Sequence, residues 1–243
     1  MAVHPKYRFH KSVFLLLVSL MALSGVSPAQ LRAWRYDIQG FSRQSIPYQA
    51  ATLPPLTAGD LDEDGVREEI LIQDGRAEIH TASGLAWRSP EGWLVKQAIL
   101  ADLNRDGRLE AVLLVWRDFR PWPVDQFMPK EGRIAAFHNP QGKSCHLILI
   151  GWKKNGYGEL WAGSALAEPL LKIAAVDLKE DGEQELVTLE SDYQDPPDSP
   201  ARAFSAWEWN GFGFSLLARS KGRFRQMQVM LMPTQLSFVL VQE

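Results

Sequence analysis

Cysteine is almost missing from this sequence, which excludes disulfide bonds as a support of the fold. Cys145 is the only cysteine among the 243 residues, so no disulfide can form within the chain. The length is sufficient for one substantial hydrophobic core. We therefore expect the fold to depend on core packing, on pairing between distant segments, or on bound ions.

The chain also lacks an excess of basic residues. Its formal net charge is −3, and all 29 acidic side chains follow residue 29. Nucleic acids and anionic lipids attract proteins whose surfaces carry a net positive charge. We therefore expect no nucleic-acid partner.

The longest apolar run is too short to span a membrane. Residues 13–23 (VFLLLVSLMAL) provide about eleven residues, whereas a transmembrane helix needs about twenty. Basic side chains precede this run, and Ser27 and Ala29 follow it at the spacing that signal peptidase favours. We predict a signal peptide over residues 1–29 and a secreted, periplasmic or cell-surface chain over residues 30–243, without a stable membrane span. An uncleaved N-terminal membrane anchor is the alternative.

Motifs of common catalytic centres are absent as well. Nucleophile-elbow, Walker, Rossmann and His-Glu-x-x-His patterns do not occur, and His80, His138 and His146 are scattered. We predict no catalytic residues and no enzyme activity. Glycoside hydrolysis stays open, because the separation of two carboxylates in space decides that chemistry. Two long insertions supply the candidate acids: Asp118, Asp125 and Glu131 in one, and Asp192, Asp195 and Asp198 in the other.

An internal repeat is the main positive feature. Residues 58–65 (AGDLDEDG), 100–107 (LADLNRDG) and 175–182 (AVDLKEDG) align without gaps, and each is followed by a Glu and a β-prone run. Residues 135–142 (AAFHNPQG) look like a decayed copy that has lost its acids and should bind nothing. The loops then start at 60, 102, 137 and 177, a period of about forty residues.

This period predicts an all-β fold. Short apolar runs are bounded by Gly, Pro and Asp, and residues 33–42 match residues 206–215 as two β-hairpins. Repeats of about 40–50 residues with four strands each are typical of β-propellers. The C-terminal strands expected at 225–230 and 236–241 would complete one blade with the N-terminal hairpin. We predict a single β-propeller domain of four-stranded antiparallel blades, about five in all, closed by this pairing.

The acidic loops predict calcium sites. Their alternating carboxylates repel one another unless a cation joins them, and calcium takes six to eight oxygen ligands in flexible geometry. We predict about two structural calcium ions. The first site consists of Asp60, Asp62, Asp64, the Val66 carbonyl and Glu68, and the second of Asp102, Asn104, Asp106, the Arg108 carbonyl and Glu110.

Two alternatives compete with this interpretation. An EF-hand requires a Glu at position twelve of the loop and flanking helices. Leu71, Leu113 and Thr188 stand at that position and the flanking sequences are β-prone, so an EF-hand is excluded. Polar hairpin turns are the second alternative, because Asp, Asn and Gly are also common turn residues.

The third loop departs from the calcium pattern, because Lys179 replaces its second acid. The ammonium group could satisfy Asp177, Asp181 and Glu185 without metal. We predict that this loop binds calcium weakly or not at all.

These loops resemble FG-GAP and VCBS repeats, the calcium-loop blades that also occur in the integrin α-subunit propeller. The first two loops (DLDEDG with Glu68, and DLNRDG with Glu110) match closely, and the third matches except at Lys179. The Phe-Gly and Gly-Ala-Pro sequences of FG-GAP repeats are not evident, so the VCBS-like description fits better. The resemblance covers residues 56–120 and 170–216. It implies an extracellular, calcium-loaded propeller used in adhesion or carbohydrate contact, and it does not specify an activity.

The insertion at residues 116–127 is a candidate partner surface. Exposed aromatic and Arg side chains stack on sugars and anchor protein interfaces. The candidate residues are Trp116, Phe119, Arg120, Trp122 and Phe127. Alternatively, the aromatic side chains cap the core. We expect a non-catalytic binding or scaffold module for an extracellular protein or carbohydrate, with a small exported polysaccharide hydrolase or lyase as the alternative.

Overall fold

The structure, a computed structural model, describes residues 31–45, 51–121, 137–231 and 237–242. These residues form seventeen strands in antiparallel sheets and no helix, so the predicted all-β class is confirmed. The predicted signal peptide at 1–29 lies outside the described residues. Within them, no helix has the length and hydrophobicity needed to cross a membrane.

The strands follow one another closely along the chain. In order they are β1 (Leu31–Asp37), β2 (Gly40–Gln44), β3 (Ala51–Leu53), β4 (Ala58–Gly59), β5 (Glu68–Gln73), β6 (Arg76–Thr81), β7 (Gly84–Arg88), β8 (Leu94–Ala101), β9 (Glu110–Asp118), β10 (Lys143–Lys153), β11 (Gly156–Ala162), β12 (Leu170–Val176), β13 (Glu185–Glu190), β14 (Ala201–Trp209), β15 (Phe214–Phe224), β16 (Gln226–Leu231) and β17 (Ser237–Gln242).

Three of the sheets are four-stranded meanders. Sheet 2 contains β4 to β7, sheet 3 contains β8 to β11, and sheet 4 contains β12 to β15, each with its strands side by side in chain order. Both hairpins predicted from the aromatic repeat are present, as β1–β2 and β14–β15. Strand alternation and short turns therefore account for each sheet without long crossovers.

Sheet 1 combines strands from both ends of the described chain. Its order is β2-β1-β17-β16-β3. Ala33 of β1 lies opposite Leu240 of β17, and Met230 of β16 lies opposite Thr52 of β3. The predicted pairing between N-terminal and C-terminal strands is therefore present.

The expected count of about five sheets is wrong for the described residues, which form four. The supposed decayed repeat at 137 is a turn between β9 and β10, the second and third strands of sheet 3. Asn139 Oδ1 accepts hydrogen bonds from the N–H groups of Gln141 (3.1 Å) and Lys143 (2.8 Å), and Gly142 has a left-handed φ of 71°. An Asn-centred turn needs the same glycine as an acidic loop, which explains the mistaken alignment.

Sheet 3 lies between sheets 2 and 4. Leu113 and its alternate neighbours on β9 pack with Ile70 and Ile79 of sheet 2, whereas Leu114 packs with Ile173 of sheet 4. Successive strand residues point to opposite faces, so a strand that is covered on both faces must be apolar throughout. This explains the unbroken apolar run at residues 111–115, which is completely buried.

Sheet 4 packs in turn against sheet 1 through an aromatic cluster. Phe204 of β14 is fully buried, and its ring centroid lies 5.3 Å from that of Trp34, 4.6 Å from Phe41 and 5.1 Å from Phe224. Trp34 and Phe41 belong to the N-terminal hairpin. Phe204 therefore contributes to holding that hairpin against sheet 4.

Replacement of Phe204 by Ala should lower the free energy of unfolding by about 3–5 kcal/mol, because it removes a fully buried ring and leaves a cavity. Urea unfolding measures the change. Phe212→Ala is the control, since Phe212 is 87% exposed and its removal should cost less than about 0.5 kcal/mol. Similar small losses in both variants would show that the sheet 4–sheet 1 contact contributes little.

Candidate metal centre

The three acidic loops occupy equivalent places in the fold. Each connects the first strand of a sheet to the second, in sheets 2, 3 and 4. We number each loop from its first Asp as position 1. Positions 4 and 6 are left-handed in every loop, with φ values of 64°, 62° and 62° at Glu63, Arg105 and Glu180, and of 86°, 87° and 90° at Gly65, Gly107 and Gly182. Three loops with one backbone conformation, including a strained non-glycine residue, indicate one shared design.

The carboxylate at position 1 organises each loop. It accepts a hydrogen bond from the N–H of the position 6 glycine, which closes the turn around the acid. The distances are 3.0 Å for Asp60–Gly65, 3.0 Å for Asp102–Gly107 and 2.8 Å for Asp177–Gly182. Each bond ties the first residue of the loop to the glycine five residues later, as in other Asp-centred turns.

The Glu at position 9 begins the second strand and is buried. Glu68, Glu110 and Glu185 are 1%, 0% and 0% exposed. In each, Oε2 accepts the N–H of the leucine at position 2, at 2.8, 3.1 and 2.9 Å for Leu61, Leu103 and Leu178. A buried carboxylate needs further partners for its charge.

In the first two loops, carboxylates converge. Asp60, Asp62 and Glu68 each offer an oxygen within 4.8 Å of the others, and so do Asp102, Asp106 and Glu110. Among the described residues, Asp60 Oδ1 and Glu110 Oε1 are buried without a hydrogen-bond partner. Oxygens left in this way are available to a cation.

The remaining predicted side-chain ligands, Asp64 and Asn104, accept hydrogen bonds within their own turns. Asp64 Oδ1 accepts the N–H of Val66 at 2.7 Å, and Asn104 Oδ1 accepts the N–H of Asp106 at 2.9 Å. These contacts belong to the turn. The carbonyl groups of Val66 and Arg108 stay predicted ligands.

The second loop is electrostatically unfavourable without a cation. Burial, together with the negative charges of Asp106 and Asp102, raises the pKa of Glu110 to about 8. The hydrogen bond from Leu103 acts in the opposite direction and is outweighed. A positive charge at this position would favour the ionised form of all three acids.

The third loop contains a cationic side chain. Lys179 Nζ lies 3.0 Å from Asp181 Oδ2, 3.4 Å from Glu185 Oε1 and 3.2 Å from Glu208 Oε2. Burial lowers the pKa of Lys179, but its hydrogen bonds to Asp181 and Glu208 outweigh burial and raise the pKa above its ordinary value. Glu208, on β14, was not foreseen, because nothing in the local loop pattern indicates a partner from another strand.

The candidate partner surface is only partly within the described residues. Trp116 packs against the core between sheets 3 and 4, with its ring 5.8 Å from that of Tyr193. Phe119 is half-buried with its ring 5.0 Å from that of His138, and Arg120 is exposed. Trp122 and Phe127 lie outside the described residues. Trp116 thus matches the core alternative, whereas Phe119 and Arg120 reach the surface.

Three carboxylates of the two insertions are paired with cations. Asp118 contacts Lys143 at 2.6 Å, and Arg202 contacts Asp192 at 2.8 Å and Asp195 at 2.5 Å. Hydrogen bonds from Lys143 and Arg202 lower the pKa of Asp118 and of Asp195. A glycosidase acid needs a raised pKa, so neither carboxyl has that property. Asp198 is exposed, and Asp125 and Glu131 lie outside the described residues.

The histidines occupy separate contacts. His146 is buried, with Nε2 2.7 Å from Ser144 Oγ and Nδ1 3.0 Å from the Gly163 carbonyl oxygen. His138 Nδ1 lies 2.8 Å from the Asn139 carbonyl oxygen, and His80 Nε2 lies 2.7 Å from Glu78. Burial, assisted by the charge of Arg117, lowers the pKa of His146 to about 4.

No model of a known protein family matches the chain, and a search of curated proteins finds no match either.

Buried His146 predicts a loss of stability in acid. The group is neutral in the folded protein down to about pH 4, whereas an unfolded chain protonates it near pH 6.5. Its contribution is therefore complete above pH 6.5 and is lost as the pH falls toward 4. Between pH 7 and 5.5, the free energy of unfolding should fall by roughly 1 kcal/mol more in wild type than in His146→Gln, as measured by urea unfolding.

The comparison with His146→Gln removes the contribution of the buried carboxyl groups to the pH dependence of stability. Burial raises the pKa of Glu185 and of Glu190, so these groups act in the opposite direction and equally in both proteins. Parallel curves for the two proteins would contradict the burial of a neutral His146.

Proposed function

We propose that this chain is an exported, calcium-stabilised β-propeller of the FG-GAP/VCBS type that acts as a non-catalytic binding or scaffold module. Its calcium ions are structural, and its partner is an extracellular protein or carbohydrate. The single observation that carries the calcium site is the buried oxygen Glu110 Oε1, which has no hydrogen-bond partner among the described residues although the carboxylate lies beside Asp102 and Asp106.

The packing of the sheets supports a propeller of four blades. Sheet 3 packs against sheet 2 on one face and against sheet 4 on the other, and sheet 4 packs against sheet 1. The first strand of sheet 4, β12, contacts both β8 of sheet 3 and β16 of sheet 1. In a propeller, the first strands of successive blades meet in this way, and pairing between the chain ends closes the last blade.

The donor set favours calcium over other metals. The predicted ligands are carboxylate, amide and carbonyl oxygens, without Cys or His. Soft and borderline metals such as copper and zinc prefer sulfur and nitrogen donors, whereas hard cations prefer oxygen. Magnesium requires near-ideal octahedral geometry, but calcium accepts the irregular arrangement that a short flexible loop provides.

The contrast between loops strengthens the proposal. All three loops share one backbone conformation, and each brings a buried Glu toward its acids. Only the third carries a Lys among the acids, and there the ammonium group contacts Asp181 and Glu185. A positive charge therefore stabilises a loop of this conformation with several acids, and calcium supplies that charge in the first two loops.

The proposed binding face lies at the opposite end of sheet 3 from its acidic loop. Antiparallel strands alternate in direction, so connections between second and third strands leave the sheet at the other end from connections between first and second strands. The insertion with Phe119 and Arg120 is such a connection. An aromatic ring beside a guanidinium group suits sugar rings and protein anchors alike.

Calcium should raise the melting temperature of the protein consisting of residues 30–243. At about one hundred times the dissociation constant, each site should add about 2.7 kcal/mol, which corresponds to roughly 5–10 °C per site. Calorimetry in EDTA and in millimolar calcium measures the shift, and magnesium at the same concentration should have a smaller effect. No increase with calcium would contradict both sites.

The variant Glu110→Gln should show whether the Glu110 carboxylate binds metal or only stabilises the turn. Gln keeps an oxygen for the N–H of Leu103 but cannot ionise. In EDTA the melting temperature should equal or exceed that of wild type, because the cost of burying an ionisable carboxyl beside Asp102 and Asp106 is removed. In calcium the increase should be about half that of wild type, since one of two sites is lost.

The matched control is Glu185→Gln, which changes the same position of the third loop. This variant should keep the full wild-type increase with calcium. If Glu110→Gln lowers the melting temperature equally in EDTA and in calcium, the Glu110 carboxylate serves only the turn and the second calcium site is wrong.

Phe119→Ala tests the binding face. Affinity electrophoresis through gels that contain soluble starch, xylan or pectin measures retention of the protein. Retention of wild type should be lost in Phe119→Ala without a change in melting temperature, whereas Phe212→Ala, an exposed ring on the β14–β15 hairpin, should behave as wild type. Equal retention of all three proteins would exclude Phe119 as a contact, and lack of retention in every gel would favour a protein partner.

A further inference from the structure

A second cation enters the third loop, and it comes from the second loop. Arg105, at position 4 of the second loop, extends to sheet 4. Its guanidinium lies 2.8 Å from Glu183 Oε2, 3.0 Å from Glu185 Oε1 and 3.8 Å from Glu208 Oε2. The Arg105 side chain is only 19% exposed and Glu185 is fully buried, so this ion pair is largely shielded from water.

The second and third loops differ at one carboxylate oxygen. In Glu110 and Glu185 alike, Oε2 is bonded to a leucine N–H. Oε1 of Glu110 has no hydrogen-bond partner among the described residues, whereas Oε1 of Glu185 lies near both Arg105 (3.0 Å) and Lys179 (3.4 Å). The oxygen that is available to a metal in the second loop is therefore satisfied by protein cations in the third.

The second loop does not itself require an arginine at position 4. Glu63 and Glu180 hold the same position with φ values of 64° and 62°, compared with 62° for Arg105. The backbone therefore accepts different side chains. Within the described residues, the arginine side chain forms ion pairs only with acids of sheet 4 and its loop.

We infer that the third loop is a calcium site filled by two of the protein's own cations, Lys179 from within the loop and Arg105 from the neighbouring loop. Arg105 alone is sufficient to keep calcium out, because its guanidinium bonds the Glu185 oxygen that would bind the metal and adds a repelling charge. Placing an acid at position 3 of the third loop therefore does not by itself create a calcium site there. Both cations must be removed. The calcium part of this inference rests on the proposed function.

Isothermal titration with calcium chloride tests the inference. Lys179→Asp gives the third loop the same acids as the first, at positions 1, 3, 5 and 9. Wild type and Lys179→Asp should each bind about two ions, and the double variant Lys179→Asp/Arg105→Gln should bind about three.

Lys179→Asp/Arg35→Gln is the matched control. Arg35 also contacts the third loop, but it pairs with Glu180 at 3.2 Å in an exposed contact and is not a predicted metal ligand. This double variant should bind about two ions. Three ions in Lys179→Asp alone would overturn the role of Arg105, and two ions in Lys179→Asp/Arg105→Gln would overturn the third loop as a latent site.

A metal-free measurement tests the Arg105–Glu185 link independently. In EDTA, Arg105→Gln should lower the melting temperature, and adding Glu185→Gln should lower it by less than the sum of the two single effects, as expected for residues that interact. Additive losses would show that the two residues are not coupled. If wild type binds no calcium, the proposed function fails, and this cycle still decides whether Arg105 stabilises the third loop.

Discussion

The structure depends on how it accommodates three buried glutamates. Glu68, Glu110 and Glu185 begin the second strands of three sheets, and each fixes its loop by accepting a backbone N–H. A buried carboxylate is costly unless a positive charge or several donors compensate it. The third loop obtains that compensation from Lys179 and Arg105. The first two loops place further carboxylates beside the glutamate instead, which makes sense if a divalent cation completes them.

Apolar packing explains why the fold needs no disulfide. Sheet 3 is covered on both faces, so its strand β9 is buried along residues 111–115, and each neighbouring sheet adds a further core. Sheet 1 draws strands from both ends of the described chain, so unfolding either end would expose the core shared with sheet 4. Core burial and long-range pairing thus supply what disulfides supply in many exported proteins.

The loops, strands and hairpins could be predicted from the sequence, whereas contacts between residues far apart in the chain could not. The acidic loops, the strands after them and the two aromatic hairpins follow from residue type and spacing. The prediction of a fifth sheet was wrong because the Asn139 turn and an acidic loop both place a glycine before a strand. Only the pairing of β10 with β9 shows that the Asn139 turn lies within sheet 3. Arg105 and Glu208 were missed at the third loop because their partners lie far away in the chain, and no periodicity encodes such an ion pair.

The two contacts between neighbouring loops differ in how far they are buried. The first and second loops meet through Arg108 and Glu63, side chains that are 51% and 55% exposed, and such a surface pair contributes little. The second and third loops meet through Arg105 and the fully buried Glu185. If the first two loops hold the proposed calcium ions, removal of those ions should therefore weaken sheet 2 and its contact with sheet 3 first. The contact between sheets 3 and 4 carries its own positive charges, Arg105 and Lys179, so it does not need a bound metal ion.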